Sequence, residues 1–306
     1  MKIIKKAANL LLRLALALII AGIILFVSGY SPLKAYKAMI WGAIGNWHGI
    51  ALSLVQATPL IFTGLAVAFA NNCGVFNIGA EGQLYLGAMA AGVIGAYLPP
   101  LPHYLHLLLA LLGGALFGGL WAAIAAWLKV KANANEVIMT IMLNSIGILF
   151  CSYLANYTFK ASGPVAQTPE IKSTAVLSRL STGTQLSSAI FLGLALIVLV
   201  WFVLYRTKFG YEIRIVGANP RAAATAGINV AQKITAALFI SGTLAGLGGA
   251  GQVLGLHGRF IDGFSPGYGF DGIAVAILGG NSPIGVLFSS LLFGLMRAGG
   301  MVLDRT

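Results

Sequence analysis

The segment Gly217-Ala218-Asn219-Pro220-Arg221-Ala222-Ala223-Ala224-Thr225-Ala226-Gly227-Ile228 is the most informative part of this chain of 306 residues. It lies in a polar, basic stretch, 206–233, between two long apolar segments. Asn219 suits a helix N-cap and Pro220 suits the first helical position, so the sequence predicts a short helix here. A chain that only had to re-enter a membrane needs fewer residues. We therefore expect a docking surface for another subunit, held outside the bilayer.

The composition on either side of this stretch is that of a membrane protein. The chain is 58% hydrophobic and 8% charged, with a mean hydropathy of +0.91, which favours an all-α polytopic membrane protein. Apolar runs of about 20 residues, long enough to cross the hydrocarbon core, predict eight spans. These are Leu10–Tyr30, Ile50–Ala70, Ile78–Leu98, His103–Leu128, Val137–Tyr157, Ser187–Tyr205, Ile234–Leu256 and Gly272–Met296. The first resembles a signal peptide, but its apolar core is too long, so we expect a retained helix.

The net charge of +12 is explained by topology and does not predict nucleic-acid binding. With a cytoplasmic N-terminus and eight alternating spans, basic residues concentrate on the cytoplasmic side, as the positive-inside rule requires. The cytoplasmic set is Lys2, Lys5, Lys6, Lys129, Lys131, Arg206, Lys208, Arg214, Arg221, Lys233, Arg297 and Arg305. The outer set is Lys34, Lys37, Lys160, Lys172, Arg179 and Arg259. The acidic residues Asp262 and Asp271 are also predicted outside, where a rim ion pair with Arg259 is the default interpretation.

Two parts of the single domain 1–306 resemble each other weakly. Residues 58–66 share a pattern with residues 235–245, and the next span in each case carries an acid-glycine pair, Glu81-Gly82 or Asp271-Gly272. The predicted topology makes these an inverted repeat, a common plan in transporters, with halves 50–157 and 234–306. The second half has only two of its four expected spans. The pattern therefore predicts a C-terminally short version of a ten-span protein.

Polar residues at predicted membrane depth are candidates for a transport pathway. The segment from Asn71 to Gln83 is unusually rich in amides and glycines, and polar groups near hydrocarbon are costly unless they face a cavity or each other. The candidates are Asn72, Asn77, Glu81, Gln83 and Asn144. An alternative for Glu81 is that its charge complements a helix start. For Asn144 an interhelical hydrogen bond is favoured over a substrate contact.

Two further features of the sequence are glycine pairs spaced four residues apart and two long connecting segments. The pairs Gly114/Gly118 and Gly242/Gly246 have the spacing that lets helix backbones approach closely in lipid. The segments Ser31–Gly49 and Phe159–Leu186 are predicted to lie outside the membrane, either as a platform for a delivery protein or as ordinary connecting loops.

No catalytic machinery is predicted. The chain has no Walker A sequence, so it cannot bind and hydrolyse ATP by that route. Its four histidines lack metal-ligand spacing, and Cys73 and Cys151 suggest neither a disulfide framework nor a metal site.

Three motifs together resemble one known family. They are residues 217–228, the sequence Gly-Val-Phe-Asn-Ile-Gly-Ala-Glu-Gly-Gln at 74–83, and Gly-Phe-Asp-Gly-Ile-Ala-Val-Ala-Ile-Leu-Gly at 269–279. The chain is similar over nearly its whole length to permease subunits of bacterial ABC importers for ribose, other simple sugars and branched-chain amino acids. The extended form at 74–83 is most similar to the nucleoside-uptake branch.

The resemblance implies a non-enzymatic, multi-pass permease of the bacterial plasma membrane that binds no cofactor of its own. The implied partners are cytoplasmic ABC ATPase subunits, which use ATP and Mg²⁺, a second permease subunit, an external or periplasmic substrate-binding protein, and membrane lipid. The implied ATPase-coupling residues are Gly217, Asn219, Pro220, Arg221, Ala222, Ala223 and Gly227.

Two alternatives to a nucleoside importer stay open. One is the same importer class with a simple sugar such as ribose as its substrate. The other is an ion-coupled secondary transporter, for which Glu81 is the only fair candidate as a coupling carboxylate.

Overall fold

The computed structural model describes residues 16, 19–99 and 101–303 and is built almost entirely from helices. In these residues strand-like pairing is limited to two isolated bridges, Gln167 with Ile261 and Arg179 with Ser187. The helices are α1 (19–27), α2 (Pro32–Ile44), α3 (Trp47–Asn72), α4 (Ala80–Tyr97), α5 (His103–Ala132), α6 (Glu136–Tyr153), α7 (Ala189–Arg206), α8 (Lys208–Ala218), α9 (Pro220–Thr225), α10 (Val230–Gln252), α11 (Tyr268–Leu278) and α12 (Pro283–Leu303).

Six of the described helices are long and apolar enough to cross a membrane: α3, α5, α6, α7, α10 and α12. Helices α6 and α10 each continue into a π-helical turn, ending at Thr158 and His257. The all-α polytopic prediction is therefore confirmed, and five predicted spans coincide with α3, α5, α6, α7 and α10. The predicted span Ile78–Leu98 forms the 18-residue helix α4, which is not among these six. The first predicted span falls partly outside the described residues, and its described part is helical over 19–27.

The two ends of the bundle are identified by what packs there. At the Thr168 end, which carries the irregular segment 159–188, α3 begins with Trp47 Nε1 donating to Ser181 Oγ at 3.1 Å. At the Gly217 end, α3 finishes beside α8, where Gly217 packs against Asn72 and Gly74. A 26-residue helix is about 39 Å long, so α3 runs the full depth of the bundle.

The last predicted span, Gly272–Met296, is wrong. The chain instead forms the 11-residue helix α11 and the separate 21-residue helix α12. Gly280 and Asn281 adopt left-handed backbone angles, with φ of 63° and 53°, and Pro283 opens α12. Left-handed residues followed by proline end one helix and begin another, so the continuous apolar run concealed a turn. At about 16 Å, α11 is too short to span a bilayer.

The segment Ser31–Gly49 was expected to be an external platform or a connecting loop, but it is largely helical. It contains α2 and the first residues of α3, and α2 packs against α3 and α12. Ser53 Oγ on α3 donates to the carbonyl of Ala43 on α2 at 3.0 Å. The second predicted external segment, 159–186, is irregular apart from one short 3₁₀ turn, Ser173–Ala175.

Helices α5 and α10 cross through the glycines that the spacing predicted. A side chain on Gly118 or Gly242 would collide with the backbone of the other, and Gly246 lies directly on Gly114. Without side chains between them the backbones touch, and close packing of this kind holds helices together in lipid.

Candidate functional site

The N-terminal ends of α4 and α11 meet inside the bundle. The backbone N–H of Gly269, in the first turn of α11, donates to Glu81 Oε2, in the first turn of α4, at 2.5 Å. The two helix starts are so close that a side chain on Gly269 would overlap the backbone of Glu81. A carboxylate beside two helix N-termini is stabilised by both dipoles. Glu81 therefore joins the starts of α4 and α11.

This meeting point lies at membrane depth. Thr63 Oγ1 donates to the carbonyl of Tyr268, at the start of α11, at 2.9 Å. Thr63 is about 24 Å along α3 from Trp47 and about 14 Å from Asn72 at 1.5 Å per residue. Both helix starts therefore lie well away from either end of the bundle. The chain reaches them through the non-helical segments 73–79 and 258–267.

The predicted pathway residues near α4 are engaged with each other. Asn77 and Gln83 exchange hydrogen bonds at 2.9 and 3.1 Å, and Asn77 Nδ2 also donates to Ser241 Oγ at 2.8 Å. Asn144 on α6 accepts from the N–H of Gly82 at 2.7 Å and donates to the carbonyl of Ile78 at 2.6 Å. All are buried. In this conformation they fix the segment that enters α4, and Asn144 makes the interhelical hydrogen bonds favoured by the sequence.

Asn72 does not belong to that cluster. Its Nδ2 donates to the carbonyls of Ala68 and Asn281, both at 2.8 Å. It therefore ties the end of α3 to the turn between α11 and α12, at the Gly217 end of the bundle.

The 206–233 segment forms two short helices. Asn219 ends α8 and caps α9, accepting from the N–H groups of Arg221 and Ala222 at 3.0 and 3.1 Å, with Pro220 in the first helical position. The predicted cap and proline are therefore confirmed. Ala223, however, is fully buried within this chain, so it is not available for docking to a partner.

The other predicted coupling residues also divide into exposed residues and residues that pack inside this chain. Asn219, Pro220, Arg221, Ala222 and Gly227 are exposed, and Gly227 has a left-handed φ of 79°. Gly217 is instead part of an internal contact, because a side chain there would collide with the carbonyl of Asn72. The exposed surface of α9 is thus joined through Gly217 to the segment that leads into α4.

An ion pair fastens α8 to α10. Lys233 Nζ lies 2.5 Å from Glu212 Oε2, and this hydrogen bond lowers the pKa of the Glu212 carboxyl. Glu212 therefore stays ionised at neutral pH.

Sequence reasoning missed a partly exposed ion pair at membrane depth, Asp271 with Arg297. Arg297 Nε donates to Asp271 Oδ2 at 2.8 Å, and the guanidinium lies over the ring of Tyr268, 4.9 Å from its centre. We expected Asp271 outside and Arg297 in the cytoplasm, and this contact shows that expectation to be wrong. The cause is the missed turn before Pro283, which sends α12 back toward the start of α11.

The other rim residues are paired elsewhere. Arg259 contacts Glu170 at 3.3 Å, and Ser152 Oγ donates to Asp262 Oδ2 at 2.7 Å. No group of three or more His, Cys, Asp or Glu residues that could hold a metal is found in the described residues.

A small pocket opens at the Thr168 end between α3 and α10. Its lining includes Val55, Thr58, Ser187 and Gln252. Gln252 Oε1 is buried without a hydrogen-bond partner in the described part of the chain, so it can accept one hydrogen bond from a water or a solute.

Two helices that start inside a bundle of long apolar helices define a class of protein. Broken helices with polar residues at the membrane centre are the plan of membrane transport proteins. Residues 49–305 match the family described as the branched-chain amino acid transport system / permease component. The chain therefore belongs to this permease family, and the resemblance drawn from the three motifs is confirmed.

Three relatives match most of the chain. It is 37% identical to the guanosine ABC transporter permease protein NupP of Bacillus subtilis, over 97% of this chain and 87% of that protein. It is 34% identical to the glucose ABC transporter permease protein TsgB13 of Haloferax volcanii, over 93% and 77%. It is 32% identical to the nucleoside ABC transporter permease protein NupB of Lactococcus lactis, over 96% and 84%. No solved structure matches the chain significantly.

Proposed function

We propose that this chain is the membrane-spanning subunit of an ATP-driven importer of nucleosides. The observation that carries the proposal is its 37% identity to a guanosine permease over 97% of its length. The buried side chains around Asn77 are neutral amides bonded to one another, which suits a neutral substrate. ATP and Mg²⁺ would be bound by separate ATPase subunits, and an external binding protein would deliver the substrate to this chain and a second permease subunit.

The contacts of α9 support a route for mechanical coupling. The exposed face of α9 would bind the ATPase, and the nearby Gly217 packs against Asn72 and Gly74. Asn72 is the last residue of α3, and Gly74 lies in the segment 73–79 that leads to Glu81 at the start of α4. A shift of α9 driven by ATP would therefore be passed over a short distance to the place where α4 meets α11.

Uptake by the assembled transporter tests the substrate and the energy source together. Cells that express this chain with its cognate subunits should accumulate radiolabelled guanosine or uridine, and unlabelled glucose should not compete. ATP depletion should stop accumulation, whereas a proton uncoupler at constant ATP should not. Accumulation that follows the proton gradient after ATP depletion would instead support the secondary transporter. Competition by glucose or ribose would favour the sugar importer.

Ala222 allows a direct test of docking. Because Ala222 is exposed and Ala223 is buried, Ala222→Glu should leave insertion intact while abolishing both transport and stimulation of the partner ATPase. The matched control is Ala222→Ser, which stays small and neutral and should retain both. Normal uptake by an Ala222→Glu variant present at wild-type level would refute docking through α9.

The proposed orientation has a cytoplasmic N-terminus, with α9 in the cytoplasm and the 159–188 segment outside. Ser173 and Thr225 are exposed at opposite ends. In a chain without Cys73 and Cys151, Ser173→Cys should react with an impermeant maleimide on intact cells, and Thr225→Cys should react only after lysis. The reverse pattern would invert the topology.

A further inference from the structure

The ion pair between Asp271 and Arg297 is open to its surroundings at membrane depth. The exposed fractions of the two side chains are 34% and 21%. Asp271 lies in the first turn of α11, whose start is fixed by Thr63 and Glu81 near the middle of the bundle. The outward face of α11 continues this exposure through Phe270, Ala274 and Ile277.

Lipid is a poor environment for this pair. A charged side chain near the bilayer centre costs at least about 2.5 kcal/mol when it faces hydrocarbon, so such residues face a water-filled cavity or another protein surface. Long basic side chains near a helix end reach the interface instead. Arg297 does not do so, because its guanidinium is held by Asp271, the carbonyl of Pro266 and the ring of Tyr268. In a transport protein this placement indicates the wall of the pathway.

The pair also keeps unused hydrogen-bonding atoms. Arg297 Nε and Nη2 both approach Asp271 Oδ2. For the described residues, neither Asp271 Oδ1 nor Arg297 Nη1 has a hydrogen bond. One carboxylate oxygen and one guanidinium nitrogen of the pair thus keep hydrogen-bonding capacity, and the opposite charges cancel. A neutral solute with two adjacent hydroxyl groups is complementary, because one hydroxyl donates to the carboxylate while the other accepts from the guanidinium.

We propose that Asp271 and Arg297 form a substrate-contact site on the pathway wall that recognises adjacent hydroxyl groups, such as the ribose 2′- and 3′-hydroxyls of a nucleoside. This site rests on the importer function proposed above and adds the chemical group that is recognised. A substrate anion would be repelled by Asp271, and a cation by Arg297. A neutral pair of hydroxyl groups is repelled by neither side chain.

Transport of nucleosides that differ only in these hydroxyls tests the site. The complete transporter in membrane vesicles should take up uridine with a KM at least about tenfold below that of 2′,3′-dideoxyuridine, because a site built for hydroxyls discriminates against an analogue that lacks them. Asp271→Asn and Arg297→Gln should raise the KM for uridine about tenfold and leave that for dideoxyuridine unchanged. The control is Glu136→Gln, which alters the Lys129–Glu136 ion pair at 2.7 Å and should keep the discrimination.

Each result separates the site from the importer function. If wild-type vesicles take up no nucleoside, the importer proposal itself fails. If they take up both nucleosides equally well, or if the variants keep the wild-type ratio, the hydroxyl site is wrong while the importer stands. If the variants lose uptake of both nucleosides equally and the two permease subunits separate on size exclusion, the pair belongs to the contact with the second subunit and the proposal is overturned.

Discussion

Helices α4 and α11 start at the same place, and each carries an acid in its first turn, yet the surroundings of the two acids are opposite. Glu81 is 3% exposed and bonded to Gly269. Asp271 is a third exposed and bonded to a side chain that is itself partly open. The oxygen and nitrogen atoms of the amides near α4 all have internal hydrogen-bond partners. A polar cluster in a membrane protein is therefore a candidate site only where it keeps atoms free.

The difference in exposure between Glu81 and Asp271 also predicts different roles, in the stability of the fold and in substrate specificity. A buried group that loses its partner costs its full desolvation energy, whereas an exposed ion pair contributes little. We therefore expect changes at the start of α4 to affect folding and changes at the open side of α11 to affect substrate choice. The predictions below test this division.

The largest effect is expected from Gly269→Ala. The added methyl group would overlap the backbone of Glu81, and overpacking against rigid backbone typically costs about 1–3 kcal/mol or more. The two helix starts would have to separate, so we expect little folded protein. The measurement is the yield of monodisperse protein in detergent and its Tm. The matched control is Gly251→Ala, where the added atom would lie 3.5 Å from Ala189 Cβ and the yield should be unchanged.

A smaller but clear effect is expected at Glu81. Glu81→Leu preserves bulk but leaves the buried N–H of Gly269 without an acceptor, at a cost of about 1–3 kcal/mol. Glu81→Gln keeps one acceptor oxygen and should lose less than half as much. Thermal unfolding in detergent and uptake should both rank wild type, Gln and Leu in that order. Equal stability of the Leu variant and wild type would mean that this hydrogen bond does not hold the helices together.

The contrast between α4 and α11 shows what the sequence could and could not reveal. Apolar length was sufficient to predict α3, α5, α6, α7 and α10, because spanning a bilayer imposes a minimum run of residues. It failed at residues 272–296, where Gly280 and Asn281 interrupt an apolar run without adding charge. The partners of the site residues depend on contacts between distant helices, such as Arg297 with Asp271, which no local spacing encodes.

Local chemistry was reliable where the contacts themselves are local. Asn219 was predicted as a cap because its partners lie two and three residues away. Ala223 was misjudged because whether a small residue docks outward or packs inward depends on the tertiary fold. For the same reason, the sequence showed that Asn77 and Gln83 are polar but could not show that they hydrogen-bond to each other.

The smallest effect on stability is expected from Asp271→Asn, although its effect on substrate preference should be clear. Both members of the Asp271–Arg297 pair are partly exposed, and an exposed pair contributes about 0–1 kcal/mol. In the variant, Arg297 keeps its contacts with the carbonyl of Pro266 and the ring of Tyr268, so no buried charge is abandoned. The Tm in detergent should therefore stay within about 4 °C of wild type, since 1 kcal/mol shifts a large domain by only about 2–4 °C. A fall as large as that of Glu81→Leu would show that the pair supports the fold, and the division between a closed α4 start and an open α11 start would not hold.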